Sequence, residues 1–147
     1  MVRFVESRVA VVRGGLSNER AVSLDTGKAV VSALIERGHE VIEIDPGHDL
    51  PTQLLAAQAN VVFNALHGTF GEDGRIQGLL DWMRLPYTGE GIRASLLAFD
   101  KVLAKQIYRS AGVPVADDYV LRGQHRNDMS IELLPFALPV VVKPVAE

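Results

Sequence analysis

The chain contains no cysteine, which excludes disulfide bonds and thiolate metal sites and is consistent with a reducing compartment. It has no apolar run near the ~20 residues that span a bilayer, and its first residues have no signal-peptide core. Positive charge is not in excess either, because the formal net charge is -3 at pH 7. This balance argues against nucleic acid as a partner. We therefore expect a cytoplasmic protein that binds neither a membrane nor nucleic acid.

What is present is an ordinary globular composition. The chain has 147 residues, 48% hydrophobic and 22% charged, which is enough for one core and a small second unit. Short apolar runs, typical of buried strands, alternate with segments of helical spacing. Strands are predicted at Val9–Val12, Glu40–Asp45, Val61–Phe63 and Leu85–Tyr87, and helices at Arg20–Arg37, Pro51–Gln58, Ile76–Met83 and Ala94–Ala111, the last with a break near Asp100 left open. This alternation predicts an α/β fold, an open parallel sheet with helical crossovers, over residues 1–112.

Residues 113–147 have a different pattern. They predict two strands, Tyr119–Leu121 and Pro139–Lys143, and a short helix at Ile131–Phe136. Because two strands and one short helix bury little surface, this segment is predicted to be the truncated beginning of a second domain. We expect it to be poorly ordered, or ordered only by another chain, because Val140–Val142 would leave an open strand edge.

Several polar and glycine residues follow the predicted strands, where parallel sheets bind ligands. Gly14-Gly15 follows the first strand, but Leu16 stands where a dinucleotide fingerprint needs its second glycine. Asp45 ends the second strand and could hold a ribose, or it could be a solvated acid. His67-Gly68 follows the third strand.

Two groups of side chains could each bind a charged group of a ligand. Glu19 and Ser23 are four residues apart and share a helical face; a carboxylate there would attract an ammonium group, or it would only complement the helix dipole. His67 could donate to a carboxylate, or its loop could be a structural turn in which Asp73 caps the next helix. No metal site is predicted, because His67 has no second nitrogen ligand at suitable spacing.

Two lysines, Lys101 and Lys143, lie in apolar surroundings in the sequence. Each could hold an anion, or could be a surface lysine whose stem covers apolar groups.

Four segments together, in order along the chain, resemble the motifs of D-alanine–D-alanine ligases. They are Gly14–Leu24, Ala65–Leu80, Pro86–Lys101 and Val140–Glu147. The resemblance implies an ATP-grasp protein. It identifies residues 1–112 as a Rossmann-like, substrate-binding pre-ATP-grasp domain and residues 113–147 as the start of the central ATP-grasp domain.

The resemblance also implies an activity. In this family ATP phosphorylates the carboxylate of one D-alanine, and the amino group of a second D-alanine attacks the acyl phosphate, giving D-alanyl-D-alanine for peptidoglycan precursors. It assigns Glu19, with Ser23 beside it, to catalysis at the first substrate. It further assigns His67 and Gly68 to substrate binding and Lys101 and Lys143 to ATP. A homodimer is expected too.

The family's Mg²⁺ ligands and glycine-rich loop would lie beyond this sequence, so the chain alone is expected to be inactive. Arg13, Glu90 and Arg93 depart from the family's usual residues and put fine substrate preference in doubt. Two alternatives stay open: a non-catalytic module that binds a small amino acid, and a ligase that makes D-alanyl-D-lactate or D-alanyl-D-serine.

Overall fold

A parallel sheet forms the centre of the first part of the chain. The structure is a computed structural model that describes residues 7–121 and 134–146. Within them, strands β1 (Arg8–Val12), β2 (Glu40–Ile44) and β3 (Val61–Asn64) pair in the order β2-β1-β3, and all pairs are parallel. β1 is therefore the central strand, which agrees with its almost uninterrupted run of apolar residues.

Five helices follow or connect the strands in the described residues, and their bounds are α1 (Arg20–Glu36), α2 (Leu50–Ala57), α3 (Arg75–Trp82), α4 (Ile92–Phe99) and α5 (Lys101–Ser110). Because side chains alternate along a strand, β1 contributes to a core on each face of the sheet. Ala10 and Val12 pack in a cluster with residues of α2 and α3, whereas Val9 and Val11 pack with Val31 of α1. The predicted open parallel sheet with helical crossovers is confirmed.

The fourth predicted strand, Leu85–Tyr87, is wrong as a strand. Only an isolated parallel bridge joins Tyr87 to Val62 of β3, supported by hydrogen bonds from Val62 N to Pro86 O (2.8 Å) and from Thr88 N to Val62 O (3.0 Å). Pro86 has no N–H to donate, and Arg84, directly before Leu85, has a positive φ of 56°. The segment therefore touches the sheet edge without extending the ladder.

The predicted helix Ala94–Ala111 is two helices, α4 and α5, separated at Asp100. Asp100 has an extended backbone, and its Oδ1 accepts hydrogen bonds from Val102 N and Leu103 N, both at 2.9 Å. It thus caps α5. The break that the sequence left open is present, and its cause is this cap.

The strands predicted in the tail are wrong. Neither Tyr119–Leu121 nor Pro139–Lys143 is in a strand, and Leu134–Phe136, the described end of the predicted helix, is not helical; the remainder of that helix lies outside the described residues. Val141 and Val142 are 80% and 83% exposed. An apolar run becomes a strand only where a neighbouring backbone supplies hydrogen bonds, and the described residues offer none here.

The chain divides into two compact units, the first ending at Phe99 and the second beginning at Asp100. The sequence placed a domain boundary at residues 112 and 113, and the assignment of the domains to substrate and ATP stays a prediction. In the described part of the chain, no helix has both the length and the apolar character needed to cross a membrane.

Candidate functional site

A cleft of about 250 Å³ lies at the carboxyl edge of the sheet in the first unit. Its walls come from the loops after the three strands: Gly14 to Ser17 after β1, Pro46 to His48 after β2, and Leu66, His67, Thr69 and Phe70 after β3. Ile76 and Leu79 of α3 add apolar surface. The cleft is therefore where ligands bind in open parallel sheets.

Ser23 joins the loops after β1 and β3. The side chain is completely buried; its Oγ accepts a hydrogen bond from Gly14 N (2.8 Å) and donates one to Ala65 O (2.8 Å). Both hydrogen-bonding roles are thus used by the backbone. This geometry holds the two loops together across the start of α1.

Asp45 is engaged by Arg20 and by the loop after β1. Its carboxylate accepts two hydrogen bonds from the Arg20 guanidinium, both at 2.6 Å, and one from Gly15 N at 3.1 Å. The Arg20 guanidinium holds the pKa of Asp45 below its usual range. A Cβ at Gly14 would lie 2.5 Å from Asp45 Oδ1, so this close approach requires glycine. Asp45 is thus an exposed acid at the end of its strand, as one of the two alternatives from the sequence expected, and it is paired with Arg20 and Gly15 N.

Glu19, His67 and Glu72 form a cluster, called here the His67 cluster. One potential ligand atom from each of the three lies within 4.8 Å of the others. Glu19 is the N-cap residue of α1, yet its side chain makes no capping hydrogen bond. Its carboxylate is directed to the loop after β3, since a Cβ on Gly68 would lie 3.4 Å from Glu19 Cδ.

The loop that carries His67 is fixed on both sides. Ser17 Oγ donates to His67 O at 2.7 Å, and Glu72 Oε2 accepts from Gly68 N at 2.8 Å. His67 Nε2 lies 3.1 Å from Thr26 Oγ1. The φ of Gly68 is +67°, a conformation that suits glycine.

Asp73 takes the structural role that the sequence offered as an alternative. Its two carboxylate oxygens accept hydrogen bonds from Phe70 N (2.9 Å) and Arg75 N (3.1 Å). Asp73 thereby satisfies an N–H group at the start of α3, the helix whose N-cap residue is Gly74.

The two predicted ATP lysines belong to the second unit. Lys101 is the first residue of α5, and its backbone N donates to Val145 O at 2.9 Å. Lys143 is exposed, two residues before Val145 in the sequence. The backbone segments that carry the two lysines therefore meet.

The structure brings Glu19, Ser23, His67 and Gly68 to one edge of the sheet, as the strand ends predicted. Sequence reasoning missed Thr26 and Glu72 as partners of His67. A signal for Thr26 was available, because Glu19, Ser23 and Thr26 are spaced i, i+4, i+7 and share one face of α1. The Arg20–Asp45 pair had no such local signal.

The known proteins to which this chain is similar are D-alanine–D-alanine ligases. Residues 43–90 match the family model described as "D-ala D-ala ligase N-terminus". The D-alanine--D-alanine ligase of Anaeromyxobacter dehalogenans (strain 2CP-1 / ATCC BAA-258) is 48% identical over 147 residues, which are 100% of this chain and 48% of that protein. The D-alanine--D-alanine ligase of Citrifermentans bemidjiense is 49% identical over 143 residues, 97% of this chain and 45% of that protein. The chain spans about half the length of the curated relatives it matches.

Solved structures of D-alanine–D-alanine ligases are also similar to this chain. The D-alanine--D-alanine ligase of Bacillus anthracis complexed with ATP has a TM-score of 0.68 and 30% identity, over 83% of this chain and 44% of that one. The D-Alanine-D-Alanine ligase of Helicobacter pylori has a TM-score of 0.72 over 96% of this chain and 56% of that one. At 23% identity, this second likeness shows the fold alone.

Proposed function

The chain resembles the N-terminal portion of D-alanine–D-alanine ligases along its whole length, and on this premise we propose that it is the first-substrate-binding part of such an enzyme. The complete protein uses ATP to form an acyl phosphate on one D-alanine, which the amino group of a second D-alanine attacks. The product serves peptidoglycan precursor synthesis in the cytoplasm, and the complete enzyme is a homodimer.

The observation that carries this proposal is the position of Glu19 beside the His67-Gly68 loop. The Glu19 carboxylate makes no capping hydrogen bond to α1, so it can accept a charge-assisted hydrogen bond from the ammonium group of D-alanine. His67 lies within reach of Glu19 on the same edge of the sheet and is placed to donate to the carboxylate end of the same small molecule.

Ser23 acts as a positioning residue in this proposal. Because its Oγ already bonds Gly14 N and Ala65 O, it fixes the loops that carry the binding groups and leaves direct contact with substrate to Glu19 and His67. The role that the resemblance gave Ser23, beside Glu19, is thereby refined.

Lys101 and Lys143 are proposed to hold the ATP phosphates. The charge of these two side chains suits the phosphate groups of ATP. The backbone segments that carry them meet through the hydrogen bond from Lys101 N to Val145 O. Lysine ammonium groups neutralise phosphate oxygens during phosphoryl transfer. ATP supplies the leaving phosphate, and its Mg²⁺ is proposed to be held by residues of the complete enzyme outside this chain.

A titration of this chain with D-alanine, followed by NMR, tests the proposal at Glu19. Glu19→Gln keeps the shape and removes the charge, so D-alanine should bind roughly tenfold to a hundredfold more weakly, which corresponds to about 1.5–3 kcal/mol. Glu36→Gln removes an exposed carboxylate at the other end of the same helix and should leave binding unchanged. Equal affinities for the unaltered chain and both variants would indicate that Glu19 only complements the dipole of α1.

A second measurement separates binding from turnover. The chain with ATP, Mg²⁺ and D-alanine should release no phosphate above background, because positioning and charge neutralisation by the whole enzyme are required. Phosphate release that depends on D-alanine would contradict the proposal that this chain binds the first substrate but needs the rest of the enzyme for turnover.

A further inference from the structure

We infer that the His67 cluster is a transition-metal site that takes Zn²⁺ or a similar first-row divalent cation. The sequence predicted no metal site, since His67 has no second nitrogen ligand nearby. The fold supplies a third ligand from a distant segment, Glu19 at the start of α1, and places it within 4.8 Å of the ligand atoms of His67 and Glu72. One imidazole and two carboxylates are a donor set that Zn²⁺ accepts.

The separation of His67 and Glu72 fits a bridging ion. His67 Nδ1 and Glu72 Oε1 are 4.0 Å apart, which is too long for a hydrogen bond. Two ligands bonded to one zinc at about 2.0–2.2 Å lie roughly 3.4 Å apart in tetrahedral geometry and about 4.2 Å apart when opposite each other. The observed separation lies between these values. The Glu19 side chain is only partly buried, so it has room to rotate toward an ion held by His67 and Glu72.

Neighbouring groups orient both His67 and Glu72 toward this point. Nε2 of His67 lies 3.1 Å from Thr26 Oγ1, so the hydroxyl can accept the Nε2–H and leave the Nδ1 lone pair directed at Glu72. Metal-binding histidines commonly donate their other ring N–H in this way. Glu72 Oε2 is held by Gly68 N at 2.8 Å, which leaves Oε1 on the side of His67.

The sequence contains no thiolate ligand that would compete with this site for the metal. The chain has no cysteine and four histidines. The inference does not rest on the proposed ligase activity, because zinc binding requires neither ATP nor D-alanine. Where D-alanine binds, the metal competes with its ammonium group for Glu19 and with its carboxylate for His67.

Calorimetric titration of the chain with ZnCl₂ in a non-chelating buffer tests the site. We expect one saturable Zn²⁺ at this cluster, with binding weakened at least about tenfold by His67→Gln and by Glu72→Gln. Thr26→Val keeps all three ligands and removes the partner of Nε2, and it should also weaken binding by about tenfold or more. His39→Gln and Glu36→Gln, which remove the same side-chain types away from the cluster, should bind Zn²⁺ as the unaltered chain does.

The nitrogen that binds the metal gives an independent readout. In ¹⁵N NMR of the imidazoles, Zn²⁺ should shift Nδ1 of His67 rather than Nε2. Glu72→Gln retains an oxygen acceptor for Gly68 N, so it tests the site even if His67→Gln disturbs the loop; circular dichroism checks the fold of each variant. Absence of saturable binding, or equal affinity in the unaltered chain and Glu72→Gln, would overturn the inference.

Discussion

The two units of the chain use similar apolar sequences with opposite results. In the first unit, Val9–Val12 is buried on both faces of a parallel sheet and contributes to two core clusters. In the second unit, Val141 and Val142 are more than three-quarters exposed, and Ala104 is the one buried hydrophobic residue among those the structure describes there. The comparison teaches that hydrophobicity favours a strand only where partner strands and covering helices are present.

Amide hydrogen exchange should show the largest difference between these regions. The amides of Val9–Val12 lie in the central strand, so their exchange should require global unfolding, which costs about 5–15 kcal/mol in typical domains. The amides of Val140–Lys143, which are in no strand, should exchange almost as fast as in an unfolded peptide. Exchange followed by NMR or mass spectrometry measures both segments in one sample.

The concentration of the sample provides the control. Protection of residues 140–143 that rises with protein concentration would indicate pairing with another copy, as open strand edges permit. Protection of Val141 and Val142 equal to that of Val11 in a dilute monomer would break the comparison between the units.

Within the first unit, Ser23→Ala should cause the next largest effect. It removes the partner of two backbone groups, Gly14 N and Ala65 O, in a fully buried position. An unsatisfied buried polar group costs about 1–3 kcal/mol, so we expect the free energy of unfolding to fall by roughly 2–4 kcal/mol. Urea denaturation measures this change.

Ser32→Ala is the matched control, because Ser32 is an exposed serine on the same helix. Its replacement should change the free energy of unfolding by no more than about 0.5 kcal/mol. A loss for Ser23→Ala as small as that of the control would show that Ser23 does not hold the two loops together.

The features predictable from the sequence are those that local pattern determines. The strands β1, β2 and β3 and the helices α1 to α3 follow from apolar period and from glycines such as Gly38, which ends α1 by its positive φ. The order of elements then implies parallel strands, and parallel strands bring Glu19 and His67 to one edge. Both steps use only the local sequence and the order of the elements along the chain.

The features that the sequence did not predict depend on contacts between distant residues. Thr26 and His67 are 41 residues apart, and Arg20 and Asp45 are 25 apart. Helical spacing places Thr26 on the same face as Glu19 and Ser23, but neither separation identifies the distant partner. The strands predicted in the tail failed for the same reason, since Pro139–Lys143 has the pattern of a strand but no neighbouring strand in the described residues.

The smallest expected effect concerns the ion pair of Arg20 and Asp45. The two side chains are 48% and 46% exposed, so solvent screening makes the contribution of the pair to stability small. Asp45→Asn should therefore lower the free energy of unfolding only slightly at pH 7. Asp25→Asn, which removes an exposed carboxylate of α1, serves as the matched control.

The difference in unfolding free energy between the unaltered chain and Asp45→Asn should change with pH in a defined direction. The Arg20 guanidinium lowers the pKa of Asp45 in the folded chain, whereas an unfolded aspartate titrates at about pH 3.9. The ionised, paired carboxylate therefore stabilises the fold fully above that unfolded value, and the contribution is lost as the pH falls through the lower folded pKa. Urea denaturation of the unaltered chain and Asp45→Asn between about pH 7 and pH 3 should show a constant difference down to about pH 4 and a shrinking one below it. A difference that grows as the pH falls would mean that Asp45 is not held by Arg20 in solution.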